Sequence, residues 1–167
     1  TAVGEVLLSL QPDTEFLVSV GSGSITDIVR VNAKRANLPM VCIGTAPSMD
    51  GYTSVVCPLL LRGVKIHRAG NCPDIILCDI DILKTAPLGM VASGVGDVLG
   101  KYIAKADWIV GNIVNDEPYC PTCGQIVTDA VNQLVENAEE IRSKSDKGIR
   151  ILIDAQAAVL KDEHPAR

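Results

Sequence analysis

The stretch Val18-Ser19-Val20-Gly21-Ser22-Gly23-Ser24-Ile25-Thr26-Asp27 constrains the fold of this chain more than any other. Phe16 to Val20 is a short apolar run rich in β-branched residues, the pattern of a buried parallel strand. It stops at Gly-Ser-Gly-Ser, and apolar residues then recur at helical spacing: Ile25, Ile28, Val29, Ala33 and Ala36. Strand, glycine turn and helix start leave unpaired backbone N–H groups at a helix N-terminus, where they and the helix dipole favour an anion. A glycine lets the backbone approach a pyrophosphate where a Cβ would clash, and Gly23 is expected to hold a backbone angle that only glycine adopts easily. The same Gly-x-Gly turn also serves as a plain strand-to-helix connection, and the motif alone does not separate the two uses.

The rest of the first half repeats the strand and helix rhythm. Ala2 to Leu8 reads as a helix that ends by Gln11, and Pro12-Asp13 turns the chain into the first strand. Leu38-Pro39 stops the helix that begins at Ile25, and Met40 to Ile43 is the next strand. Ser54 to Leu61 and Val64 to His67 flank Arg62-Gly63 as a hairpin, Asp74 to Asp79 is a further buried strand, and Asp81 to Lys84 is a short turn of helix. From Pro87 the pattern is wholly helical: Leu88–Ala106, then Gln125–Ser143 with Ile126, Ala130, Leu134, Ala138 and Ile141 on one side, then Ile149–Leu160. This predicts an α/β part over residues 1–86 and an all-helical part over 87–167.

Composition agrees. The 167 residues are 47% apolar but only 3% aromatic, which suits parallel strands flanked by helices. A net charge of −5 argues against nucleic acid or an anionic membrane surface as the main partner, while leaving room for a local positive site that holds a small anion. No apolar run is long enough for a bilayer span, and no signal-peptide pattern opens the chain. Cys42, Cys57, Cys72, Cys78, Cys120 and Cys123 read as reduced thiols of a cytoplasmic protein without disulfides. The chain opens on Thr1 directly into a helical pattern and closes just after another apolar helix, so both ends are expected to be cut.

Two further clusters carry chemistry. Thr45-Ala46-Pro47-Ser48-Met49-Asp50-Gly51-Tyr52-Thr53-Ser54 follows the second strand, so in a parallel sheet it falls on the same edge as the glycine turn. The hydroxyls of Thr45, Ser48 and Ser54 can donate to phosphate or amide oxygens, and Asp50 can accept from a hydroxyl; the same residues are also ordinary turn formers. In Ser93-Gly94-Val95-Gly96-Asp97-Val98-Leu99-Gly100-Lys101-Tyr102, three glycines stand in a helical pattern at about 1 kcal/mol each against alanine. Something nearby is therefore expected to need a bare backbone. Asp97 and Lys101 share a helix face, either as a surface ion pair or as a carboxylate metal ligand beside an anion-attracting lysine.

VGSGSITD, then TAPSMDGYTS, then APLGMVASGVGDVLGKY followed by ADW, in this order and spacing, resembles the sn-glycerol-1-phosphate dehydrogenase family. This is the polyol-phosphate branch of the group that holds iron-containing alcohol dehydrogenases, metal-dependent glycerol dehydrogenase and dehydroquinate synthase. The resemblance implies a Rossmann-like nucleotide domain followed by a dehydroquinate synthase-like helical domain, here truncated at both ends. It implies that Gly21, Ser22, Gly23, Ser24 and Ile25 form the pyrophosphate turn and that Thr45, Ala46, Pro47, Ser48 and Ser54 make further contacts to NAD or NADP. Asp50 then corresponds to a substrate contact and Asp97 to a metal ligand that also touches substrate, with Lys65 and Lys101 near the site. The implied reaction is metal-assisted reduction of dihydroxyacetone phosphate to sn-glycerol 1-phosphate, with zinc or nickel as the divalent metal and a homo-oligomer as the assembly. Glycerol dehydrogenase acting on an unphosphorylated polyol is the next reading, dehydroquinate synthase the third, and a non-catalytic fragment of such an enzyme the alternative outside catalysis.

The sequence departs from that pattern in places. The two histidine ligands of the family would begin just past Arg167, and neither His67 nor His164 matches them. The first βαβ unit, with the residue that tells NAD from NADP, is expected to be missing, and the chain alone is expected to lack activity. Cys120-Pro121-Thr122-Cys123 is one C-x-x-C without a second pair, which reads as incidental thiols.

Overall fold

The structure, a computed structural model, describes residues 2–160. It divides into two compact units. The first holds the residues up to Ala46 together with Gly51–Leu83; the second holds Pro47–Asp50 and the chain from Lys84 onward.

The first unit runs α1 (Ala2–Ser9), β1 (Leu17–Gly21), α2 (Gly23–Ala36), β2 (Met40–Gly44), a single 3-10 turn (Gly51–Thr53), β3 (Val56–Leu61), β4 (Val64–Ala69), β5 (Ile75–Cys78) and α3 (Ile80–Leu83). β1, β2 and β5 form a parallel sheet in that order, with Val18 opposite Val41 and Val41 opposite Ile75. The rows alternate in character, as the two-residue period of a strand requires. Leu17, Met40 and Ile76 join Val29 and Ala33 of α2, Cys42 and Tyr52 in the core. The opposite face carries Val18, Val20, Ile75 and Leu77, and these are exposed. The strand read as buried is therefore covered on one face only.

Local chemistry sets the ends of these elements. α2 stops where Asn37 takes a left-handed φ of 54° and Leu38 N–H bonds back to the Ala33 carbonyl at 3.0 Å, ahead of Pro39. The antiparallel β3–β4 hairpin turns on Arg62 (φ 51°) and Gly63 (φ 80°), the two positive angles that a tight two-residue hairpin demands.

The second unit is helical: α4 (Leu88–Asn115), α5 (Pro121–Glu136), α6 (Ala138–Arg142) and α7 (Asp146–Leu160). Val91, Val98, Leu134, Ile141, Ile149 and Leu152 fill its core, and α7 packs on α4, α5 and α6. Several boundaries differ from the sequence reading, α7 among them, which starts at Asp146 ahead of Ile149. α4 continues past Ala106 to Asn115 and ends at a left-handed Asp116. The helix read over Gln125–Ser143 starts earlier, at Pro121, whose fixed φ suits the first turn, and breaks at Asn137. There the Asn137 amide donates to the Gln133 carbonyl at 2.9 Å, a side-chain bond that competes with helix continuation.

Candidate functional site

In the first unit the sheet brings the glycine turn and the start of the second cluster, Thr45 and Ala46, to one edge. Gly21 and Gly44 lie opposite each other at the ends of β1 and β2, and Thr45 N–H donates to the Gly21 carbonyl at 3.2 Å. α2 opens immediately after Ser22. The N–H groups of Ile25 and Thr26 both turn back to the Ser22 carbonyl at 3.1 Å. Those of Gly23 and Ser24 head the helix, where no intrahelical acceptor exists. These two donors stand at the positive end of a 14-residue helix, the arrangement that favours an anion. Gly21 is bare for a packing reason, since a Cβ there would stand 2.6 Å from Ile25 Cδ1. Gly23 corrects the expectation of a glycine-only angle: it is a helical residue of α2, and the glycine with positive φ among the described residues is Gly63.

Not every expected contact residue is presented to a ligand. Ser54 is buried, and its hydroxyl accepts from Val56 N–H at 3.0 Å, closing its own turn. Thr45 and Ala46 are half-buried, and Lys65 lies exposed on β4 opposite Leu60. Behind the turn, Arg30 of α2 is fully buried. It donates to the carbonyls of Gly51 and Val56 and pairs with Asp27 at 3.4 Å. Burial pushes the Asp27 carboxyl up to about 6, against the opposing pull of Arg30.

The second unit assembles Asp50, Asp97 and Lys101. Asp97 and Lys101 lie one turn apart on α4, and both reach the same loop residue. Asp97 Oδ2 accepts the Asp50 backbone N–H at 2.8 Å, and Lys101 Nζ stands 2.8 Å from Asp50 Oδ2. Burial pushes the Asp50 carboxyl up to about 6, Lys101 draws it down, and Asp97 raises it again. A carboxyl raised to about 6 beside an ammonium group can orient a hydroxyl and exchange a proton. Ser48 is half-buried on the same loop.

The loop is seated by residues from two helices. Gly94 of α4 lies so close under it that a Cβ would come within 1.9 Å of the Pro47 carbonyl oxygen. Gln156 of α7, fully buried, donates from Nε2 to that oxygen at 3.1 Å. Of the three glycines singled out in sequence, Gly94 alone needs its bare backbone; a Cβ at Gly96 or Gly100 would meet nothing. Gln156 and Arg30 were missed in sequence. Their signal was a polar residue on an apolar helix face, as with Gln156 one turn from Leu152 and seven residues from Ile149.

Carboxylate oxygens suit a divalent cation, and Asp97 fits as one donor. No group of three or more histidine, cysteine or acidic side chains that could hold a metal occurs among the described residues. The chemistry of the donors therefore fits a metal, while their number is short of a complete set. Cys120 precedes α5 as a half-buried thiol and Cys123 is buried in its first turn, both without a disulfide. His67 is exposed on β4, and His164 lies outside the described residues. No helix among the described residues is long and apolar enough to cross a membrane.

Comparison with known proteins extends these observations. The chain is 38% identical over 154 residues to a glycerol-1-phosphate dehydrogenase (NAD(P)+) of Geobacillus thermodenitrificans, covering 92% of this chain. It is 41% identical over 150 residues to the Bacillus subtilis protein of the same name, covering 90%. It spans 38% of the length of each relative. The crystal structure of a Schizosaccharomyces pombe glycerol dehydrogenase matches with a TM-score of 0.81 and 21% identity, over 95% of this chain and 43% of that one, which shows a shared fold. Residues 2–87, from α1 through β5 and α3 to the threshold of α4, match the family described as iron-containing alcohol dehydrogenase, and the chain belongs to that family.

Proposed function

We propose that this chain is part of an NAD(P)-dependent dehydrogenase that reduces dihydroxyacetone phosphate to sn-glycerol 1-phosphate. Residues 1–86 would bind the nucleotide, and residues 87–167, with the loop at Asp50, would bind substrate and contribute to a metal site. The observation that carries the reading is the convergence of Asp97, Lys101 and Asp50. Its support is the relatives at 38% and 41% identity.

In this reading the N–H groups of Gly23 and Ser24 bind the cofactor pyrophosphate, and Gly21, Ser22 and Ile25 shape the turn. Thr45 to Ser48 line the remaining nucleotide contacts; Ser54 supports them through Val56. Asp50 orients a substrate hydroxyl and exchanges a proton through its carboxyl, and the Lys101 ammonium offsets phosphate charge. Asp97 supplies one oxygen donor to a divalent metal, zinc or nickel. When bound, metal and nicotinamide supply Lewis-acid polarisation of the carbonyl and a hydride respectively.

The test uses a protein carrying this chain at its relatives' full length. Oxidation of NADH or NADPH is followed with dihydroxyacetone phosphate and, separately, with unphosphorylated dihydroxyacetone, after metal removal and add-back. Turnover that requires metal and prefers the phosphorylated ketone is expected. Equal or better turnover of the unphosphorylated ketone would shift the assignment to a glycerol dehydrogenase.

A further inference from the structure

We propose that Gln156 is a positioning residue that sets Asp50 by gripping the Pro47 carbonyl. The loop from Pro47 to Asp50 has no regular secondary structure, so its course depends on tertiary contacts. One end is held through the Pro47 oxygen by Gln156 Nε2 at 3.1 Å, over a glycine that alone leaves room for it. The other end is held through the Asp50 backbone N–H by Asp97 Oδ2 at 2.8 Å. Pro47 and Asp50 are three residues apart, so fixing both ends leaves the Asp50 side chain little freedom, and it meets Lys101 at 2.8 Å. A fully buried primary amide is expensive to place unless its hydrogen bonds are made, and here one of them crosses 109 residues of sequence. An apolar side chain would fill the same volume, so packing does not account for glutamine. What glutamine adds is a donor aimed at one carbonyl.

Hydrogen exchange of the Asp50 amide, read in this chain without substrate, is the primary test. In Gln156→Leu, which keeps the volume and removes the donor, exchange of the peptide holding Met49 and Asp50 should accelerate about tenfold, the scale of one lost hydrogen bond to a buried carbonyl. Peptides from the middle of α5 should be unchanged. Gln156→Glu is the second variant. Its neutral carboxyl can donate to the Pro47 oxygen and its ionised form cannot, so protection should match wild type at low pH and fall as the carboxyl ionises. This arm remains informative if the leucine variant folds poorly. Wild-type exchange in Gln156→Leu, or pH-independent behaviour in Gln156→Glu, overturns the proposal. Its consequence for catalysis rests on the dehydrogenase reading: in the full-length protein, Gln156→Leu should lower kcat/KM about tenfold and Gln156→Glu should regain it on acidification. Exchange that responds while dihydroxyacetone phosphate is not reduced would sink the functional reading and leave the role of Gln156 standing.

Discussion

Asp27 lies one turn before Arg30 inside the first unit, 9% exposed, and its charge has lost more to burial than the guanidinium returns. The consequence for stability has a definite sign. A carboxyl whose folded value is raised favours the folded state while protonated, so that contribution is complete below about pH 4 and lost as pH rises to about 6. Wild-type stability in urea should fall by about 2–3 kcal/mol on this account between pH 4 and 7. Asp50, raised in the same way, adds to the slope in the second unit. Asp27→Asn should flatten the part that belongs to the first unit, and unchanged curvature in that variant would remove Asp27 as its source. Asp97 differs in that its carboxylate is already engaged by a backbone N–H. Asp97→Ala leaves that donor unpaired, which costs about 1–2 kcal/mol, so the fold should survive. In the full-length protein the same change should strip the metal and lower turnover by at least about a hundredfold. Metal content by mass spectrometry decides it, because normal occupancy in the variant would show that Asp97 is no ligand.

At the scale of elements, α4 offers a controlled comparison of three glycines. A Cβ at Gly96 or Gly100 meets nothing, so Gly96→Ala and Gly100→Ala should each stabilise the helix by about 0.5–1 kcal/mol. Gly94→Ala drives a methyl to 1.9 Å from the Pro47 oxygen, and should destabilise by about 1–3 kcal/mol despite the better helix propensity. Thermal denaturation of the three variants separates the two cases, and a stabilised Gly94→Ala would mean the loop gives way freely. The sequence made the elements of the sheet legible because each announces itself locally: β-branched runs at β1 and β2, a glycine turn before α2, Asn37-Leu38-Pro39 after it. It also made Asp97 and Lys101 legible as neighbours, because four residues of α-helix place them on one face. α4 runs past Ala106 to a left-handed Asp116, whose N–H bonds back to the Gly111 carbonyl, and the apolar spacing of the sequence does not mark that end. The membership of Pro47–Asp50 in the helical unit was hidden for a deeper reason. Its contacts come from Gly94, Asp97, Lys101 and Gln156, between 47 and 109 residues away for those bonded through backbone groups, and no local pattern encodes them.

For the whole molecule, the open face of the sheet decides how the chain behaves in solution. Val18, Val20, Ile75 and Leu77 are 43%, 57%, 52% and 50% exposed, and the register puts them on the same side as Val41 and Ile43. Every side chain in these two rows is apolar, whereas parallel sheets ordinarily carry covering layers on both faces. The second unit adds Ile103, Val110, Ile113 and Val114 of α4, each at least 57% exposed. Scattered apolar residues on a surface are ordinary, but a contiguous apolar sheet face drives association once another copy is available. The 167-residue chain by itself should therefore self-associate at micromolar concentration in a salt-insensitive way, because the driving surface carries no charge. Val20→Lys places an ammonium on the edge strand of the open face, at a position already half in water, and should shift the population towards monomer while leaving the far-UV circular dichroism of the fold unchanged. Sedimentation velocity over a concentration series reads both. A wild-type chain that stays monomeric at high micromolar concentration would show that this face is tolerated in water, and association that persists in Val20→Lys would move its origin to the exposed residues of α4.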